Sequence, residues 1–239
     1  MEQLKGKTAL VTGGSKGIGL GVAESLIRAG MNVAVTSRSK EAIDKAAIFL
    51  NQVGPGKAIG IAADVRNLSS QQTCVGRILK EWGQLDVLVA NAGIGHFASI
   101  EDLTPTQWQD TIDINLTGVF NSVKAAVPAL KESEGYIITI ASLAGANFFA
   151  GGAAYNASKF GLVGFTQAIM LDLRHHGIKV STIMPGSVAT HFNGHTPSSA
   201  DAWKIQPEDL GQMVVDLLRM NPRTLPSKVE VRPAQPPKR

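Results

Sequence analysis

In the stretch SLAGANFFAGGAAYNASK, residues 142–159, Tyr155 and Lys159 stand four residues apart. If the run that follows is helical, this spacing puts the phenol and the ammonium one turn apart on one face. A free phenol has a pKa of roughly 10 and moves protons poorly near neutrality, but an ammonium within about 4–6 Å favours the phenolate and lowers that value. The tyrosine could then exchange a proton with a carbonyl or alcohol oxygen. Ser142, just beyond a strand-like run at 136–140, would offer its hydroxyl to the same oxygen. Such a trio suits carbonyl reduction or alcohol oxidation. A Tyr-x-x-x-Lys pair alone is common in helices, so its weight depends on what surrounds it.

The surroundings alternate strand and helix from end to end. Short apolar or β-branched runs at 8–12, 33–36, 58–62, 86–90, 136–140 and 179–184 predict buried strands. Helical patterns fall between them at 17–28, 40–51, 69–82, 104–131 and 153–175, and a last helix at 207–220 and a strand at 228–231 close the order. Each parallel connection needs a crossover, so the alternation predicts one α/β domain built on a parallel sheet with helices on both faces.

In such a sheet ligands bind beyond the carboxyl ends of the strands, beginning at the first turn. That turn reads TGGSKGIG, 12–19. Gly13, Gly17 and Gly19 free the backbone to turn sharply and approach a diphosphate, and the helix that opens at Gly17 presents unpaired N–H groups and the positive end of its dipole. After the second strand the chain reads Thr36, Ser37, Arg38, Ser39, with no carboxylate ready for the ribose 2′-hydroxyl of NAD. Arg38 and Lys16 instead offer two cations to a 2′-phosphate, which favours NADP(H) over NAD(H).

These motifs resemble those of the short-chain dehydrogenase/reductases over about residues 5–190. The turn has the form Thr-Gly-x-x-x-Gly-x-Gly, Asp64 follows the third strand, and Asn91-Ala92-Gly93 follows the fourth. Asn115 in DINLTG, Ser142, Tyr155 and Lys159 match the order and spacing of a catalytic tetrad, and Pro185-Gly186 with Val188 and Thr190 matches the segment that holds the nicotinamide amide. Ala90 departs from a frequent Asn. The resemblance implies a Rossmann-type doubly wound domain with a seven-stranded sheet over 1–232. It also implies cofactor contacts at Gly13, Ser15, Lys16, Gly17, Ile18, Gly19, Ser37, Arg38, Asp64, Val65, Asn91, Ala92, Gly93, Tyr155, Lys159, Pro185, Gly186, Val188 and Thr190. Tyr155 would be the acid or base, and Lys159 would lower its pKa and bind the ribose. Ser142 would hold the substrate oxygen, and Asn115 a relay water.

Substrate choice is less legible. The segment 191–205 would form a short lid, and His96, Phe97, Phe148, Phe149, Phe192 and Trp203 are candidates for an apolar pocket. The expected substrate is a small carbonyl compound or alcohol. The chain lacks the Thr-Gly and Asp-Gly-Gly ending of many relatives that act on acyl-carrier thioesters, which disfavours 3-oxoacyl reduction. A non-catalytic NADP(H)-binding sensor is the reading from another class, and the intact tetrad argues against it. Hydrolysis through Ser142 lacks a Gly-x-Ser-x-Gly elbow. Long helices at 104–131 and 153–175 resemble those that pair between subunits in the family, so a dimer or tetramer is expected.

Composition bounds the remaining classes. The 239 residues are 44% hydrophobic and 18% charged, as in a globular chain. Cys74 is alone, so an internal disulfide framework is excluded and a reducing compartment is expected. The formal charge is +4, but Arg219, Arg223, Lys228, Arg232, Lys238 and Arg239 crowd the end against one acid, Glu230. The rest of the chain is close to neutral, so the basic, proline-rich tail at 233–239 reads as solvated and nucleic acid is not an expected partner. The five histidines show no metal-ligand spacing. No signal-length apolar core precedes the first glycines, and a cytoplasmic protein without a membrane partner is expected.

Overall fold

The computed structural model describes residues 2–236, so the last three residues of the expected tail lie outside the described part. The order is β1 (Thr8–Thr12), α1 (Gly17–Arg28), β2 (Asn32–Ser37), α2 (Lys40–Leu50), β3 (Ala58–Ala62), α3 (Leu68–Trp82) and β4 (Val87–Ala90). It continues with α4 (Pro105–Ile112), α5 (Gly118–Glu132), β5 (Tyr136–Ile140), α6 (Ala153–Leu173), β6 (Lys179–Pro185), α7 (Pro207–Arg219) and β7 (Lys228–Val231). Local chemistry sets several boundaries. Asn67 caps α3 by accepting from the Ser70 amide, and Gly83 ends it in the left-handed region at φ 79°. Thr104 and Gln107 form a capping box ahead of Pro105.

The seven strands run parallel in the order β3-β2-β1-β4-β5-β6-β7. Alternation along β1 sends Ala9 and Val11 to one layer and Leu10 to the other. One layer holds α1, α2 and α7 through Leu26, Ile27, Ile43, Leu50, Leu210 and Val214. The other holds α3, α5 and α6 through Ile78, Val123, Leu130 and Leu162. Each such side chain, taken out of water, contributes about 1.5–3 kcal/mol. Among the described residues no helix is long and apolar enough to cross a membrane.

The winding reverses between β1 and β4, and a crevice opens there at the strands' carboxyl ends. Thr12 Oγ1 accepts from the amides of Asn91 and Ala92 at 3.1 Å each, and Asn91 Nδ2 donates to the carbonyls of Thr12 at 2.9 Å and Gly13 at 3.2 Å. The single helix expected at 104–131 is instead interrupted by a π-helical turn over Asp113–Thr117. The widened turn carries Asn115 into the interior, a common use of a π-bulge.

Helices α1 and α7 meet closely at Gly21. A Cβ there would lie 2.7 Å from both the carbonyl carbon and the Cβ of Pro207, so backbone would have to move. Gly21→Ala gains helix propensity of about 1 kcal/mol but overpacks this crossing. The expected net effect is a loss of about 1–2 kcal/mol, read as a lower urea midpoint at unchanged m-value. An unchanged midpoint would show that making room between the two helices costs no more than the helix propensity gained.

Candidate active site

A cleft of about 870 Å³ runs from the glycine turn, past β4 and β5, to the segment after β6. At its first end Gly13 and Gly17 adopt φ of 66° and 57°, the left-handed region in which a side chain is strained. Lys16 precedes α1 without a side-chain cap, so the helix's first amides keep no such partner. Gly19 lies behind the turn rather than on the cleft, where a Cβ would come within 2.3 Å of the Gly13 carbonyl oxygen. Its role is to let α1 seat against the turn.

Lys16, Ser37 and Arg38 line the same end, with Lys16 and Arg38 exposed. Asp64 lines it too, but its carboxylate is bound by Arg66 at 2.7–3.1 Å. The Arg66 guanidinium holds the Asp64 carboxyl below the usual carboxylate range. Val65 is a buried wall residue whose carbonyl accepts from Asn121 Nδ2 at 3.0 Å.

At the other end, β5 delivers Ser142, and α6 delivers Tyr155 and Lys159 one turn apart. Ser142 Oγ accepts from the Ala144 amide at 3.1 Å. Lys159 is buried, and its Nζ donates to the Ile140 carbonyl at 3.0 Å and lies 5.7 Å from the centre of the Tyr155 ring. Burial pushes the lysine down to about 8. Burial also pushes the Tyr155 phenol up, opposed by the Ser142 hydroxyl. The phenol is thus raised, not lowered as the four-residue spacing predicts: its burial outweighs the Ser142 bond that opposes it, and the Lys159 ammonium is turned to a backbone carbonyl.

Asn115 does not reach the cleft surface. Its Oδ1 accepts from the Ile94 amide at 2.8 Å, and its Nδ2 donates to the Ile94 carbonyl at 2.9 Å and to Ser158 Oγ at 3.0 Å. It thus ties the segment after β4 to α6, behind Tyr155 and Lys159. The other expected contacts, Ser15, Ile18, Asn91, Ala92, Gly93, Pro185, Gly186, Val188 and Thr190, all line the cleft.

Of the six aromatic candidates, His96, Phe97 and Phe192 line the cleft. Phe149 packs behind Phe97 with its ring tilted by 57° at 5.8 Å, Phe148 is 87% exposed, and Trp203 lies off the cleft under the Lys204 ammonium. Sequence reasoning missed Asp201, a buried carboxylate in the 191–205 segment that binds His195 Nε2 at 2.8 Å and Lys204 Nζ at 2.5 Å. The spacing of Ser198 and Asp201, which form a capping box, was the available signal.

The family model described as "short chain dehydrogenase" matches residues 7–201. D-beta-hydroxybutyrate dehydrogenase of Cupriavidus necator is 40% identical over 189 residues, 78% of this chain and 72% of that protein. The solved alcohol dehydrogenase of the archaeon Thermococcus sibiricus, complexed with 5-hydroxy-NADP, superposes with a TM-score of 0.91 at 27% identity, covering 98% and 99% of the two chains. The 3-ketoacyl-(acyl-carrier-protein) reductase of Brucella melitensis, complexed with NADH, gives 0.88 at 26% identity, covering 97% and 98%. A match that spans the glycine turn, the tetrad positions and most of the sheet leaves one conclusion: this chain belongs to the short-chain dehydrogenase family of oxidoreductases.

Proposed function

We propose that this chain is an NADPH-dependent oxidoreductase acting on a small carbonyl compound or the corresponding secondary alcohol. The observation that carries the reading is that one cleft joins a glycine turn flanked by Lys16 and Arg38 to a wall bearing Ser142, Tyr155 and Lys159. The turn suits a diphosphate, because its glycines leave room for close backbone approach and the α1 amides face it. The two cations suit a 2′-phosphate, and no acid ends β2. Relatives complexed with NADP-type and NADH cofactors both superpose on this chain, so the preference rests on Lys16 and Arg38.

A bound nicotinamide would supply the hydride. Tyr155 gives its phenolic proton to the substrate oxygen in reduction and recovers it in oxidation. Ser142 donates to the same oxygen and holds the carbonyl against the phenol. Lys159, with its ammonium destabilised by burial, exchanges a proton nearer neutrality than an ordinary lysine and would bind the ribose hydroxyls. Asn115 Oδ1 keeps one acceptor site for a relay water beyond its bond to Ile94. Phe120, Phe160 and Leu171 lie 44–51% exposed on α5 and α6, which supports pairing of these helices in a dimer or tetramer. Reduction of a 3-oxoacyl thioester is the second reading, favoured by the likeness to the Brucella reductase.

Tyr155→Phe is expected to lower kcat at least about a hundredfold while the NADPH dissociation constant stays within about twofold. Loss of NADPH binding by fluorescence titration would make the tyrosine structural. Arg38→Asp is expected to move the kcat/KM ratio for NADPH over NADH at least about tenfold towards NADH. An unchanged ratio would remove the argument from the end of β2. Lys159 gives a pH test on the protein without cofactor. Its folded pKa, about 8, lies below its ordinary 10.5, so the unfolded chain binds more protons between these values and stability rises with pH across that window. From about pH 7 to about pH 9.5, wild type should gain about 2 kcal/mol in urea unfolding relative to Lys159→Met. A constant difference would show that the lysine titrates normally.

A further inference from the structure

Three aromatic rings meet at the substrate end of the cleft. Phe97 meets Tyr155 edge-on at a centroid distance of 5.4 Å, Phe192 lies 5.8 Å from Tyr155, and Phe97 and Phe192 close the triangle at 6.3 Å. Phe97 and Phe192 line the cleft yet remain 42% and 37% exposed. Apolar ring surface left open in a concave site is surface that a ligand can take out of water.

The sequence makes room for this wall. Gly95 does not have positive φ, so its backbone does not require glycine; space does. A Cβ at Gly95 would lie 2.7 Å from the Phe192 ring and 2.9 Å from the Phe97 ring. Gly152, at φ −95°, likewise makes room for Phe149, whose ring would lie 2.8 Å from a Cβ there. Asn156 then fixes the loop that carries Phe149. Its Nδ2 donates to the carbonyls of Ala144 and Asn147 at 2.8 Å each, and its Oδ1 accepts from the Phe149 amide at 3.4 Å. On the opposite side Thr190 Oγ1 accepts from the Phe192 amide at 3.3 Å.

The basic side chains at this end also include His96 and His191, and two others are held by a buried acid. His195 and Lys204 line the cleft, but both bind the buried carboxylate of Asp201. An anionic substrate would compete with Asp201 for them, whereas an aryl group meets ring faces and edges that have no other ligand-side partner.

We propose that the substrate is an uncharged carbonyl compound, or its alcohol, carrying an aryl group that seats between Phe97 and Phe192 while its oxygen meets Tyr155 and Ser142. The inference rests on the oxidoreductase reading above and narrows its substrate class. In reduction the carbonyl carbon gains a hydride from NADPH and its oxygen gains the Tyr155 proton, which solvent replaces, giving the secondary alcohol and NADP⁺.

The test uses three methyl ketones of similar intrinsic reactivity: benzylacetone, methyl ethyl ketone and the anion levulinate. With the full chain and NADPH, the KM for benzylacetone is expected to be at least about tenfold below that of either other ketone. Phe97→Leu and Phe192→Leu should each shrink that advantage to about threefold, and Phe192→Tyr should keep it. Equal KM values, or levulinate favoured, would overturn the proposal. Saturation-transfer NMR with benzylacetone is recorded in parallel. If no ketone is turned over, the reductase reading fails on its own account, and the aryl site is judged by binding alone. A ring-proton signal in wild type that is lost in the Phe97→Leu, Phe192→Leu double variant supports it, and an absent or unaltered signal overturns it.

Discussion

The contact between the end of β1 and the end of β4 is the constraint on which the site depends. Where the sheet reverses its winding, the connections that leave two paired strands, β1 and β4, diverge to opposite faces and open a crevice, yet their backbones cannot be left with unpaired polar groups. Thr12 and Asn91 resolve this with four hydrogen bonds that span the reversal. The glycine turn is thereby held against the Asn91-Ala92-Gly93 segment, where a Gly13 Cβ would come within 2.9 Å of Ala92 Cα. The crevice stays open because the groups that would otherwise close it are already satisfied.

The reacting end is governed by desolvation. Lys159 sits in the interior with one backbone carbonyl as its hydrogen-bond acceptor, and burial depresses its pKa to about 8. Tyr155 is pushed the other way by the same cause. The two groups are therefore both biased towards their neutral forms, an arrangement in which a bound, polar partner would have large leverage on where the proton resides. Asn115 supports this from behind. The π-turn that carries it departs from regular helix geometry at the point where its amide must reach Ile94 and Ser158.

The segment between β6 and α7 follows a different logic. It contains only short 3₁₀ turns, Phe192–Gly194 and Ser199–Asp201, and a single parallel bridge from Val188 to Ile205. Asp201 gathers His195, Lys204 and the Ser198 amide, so one buried carboxylate substitutes for the regular hydrogen bonding the segment lacks.

The sequence by itself determined the parallel α/β plan, the glycine turn, and the order of Ser142, Tyr155 and Lys159, because these are written in local periodicity and fixed spacing. The absence of a carboxylate at the end of β2 was equally legible, since it needs only residue types at one position. Three features were decided by tertiary structure. The helix around Asn115 breaks into a π-turn because partners at Ile94 and Ser158, distant in sequence, draw its side chain inward. The phenol's pKa rises because burial depends on the whole packed domain, which a spacing of four residues cannot report. Phe97 and Phe192 converge on Tyr155, while Phe148 turns out to solvent and Trp203 lies off the cleft. An aromatic residue's composition is the same in a core, a surface and a binding wall, and only the neighbours brought by the fold, here the space left by Gly95, select among them.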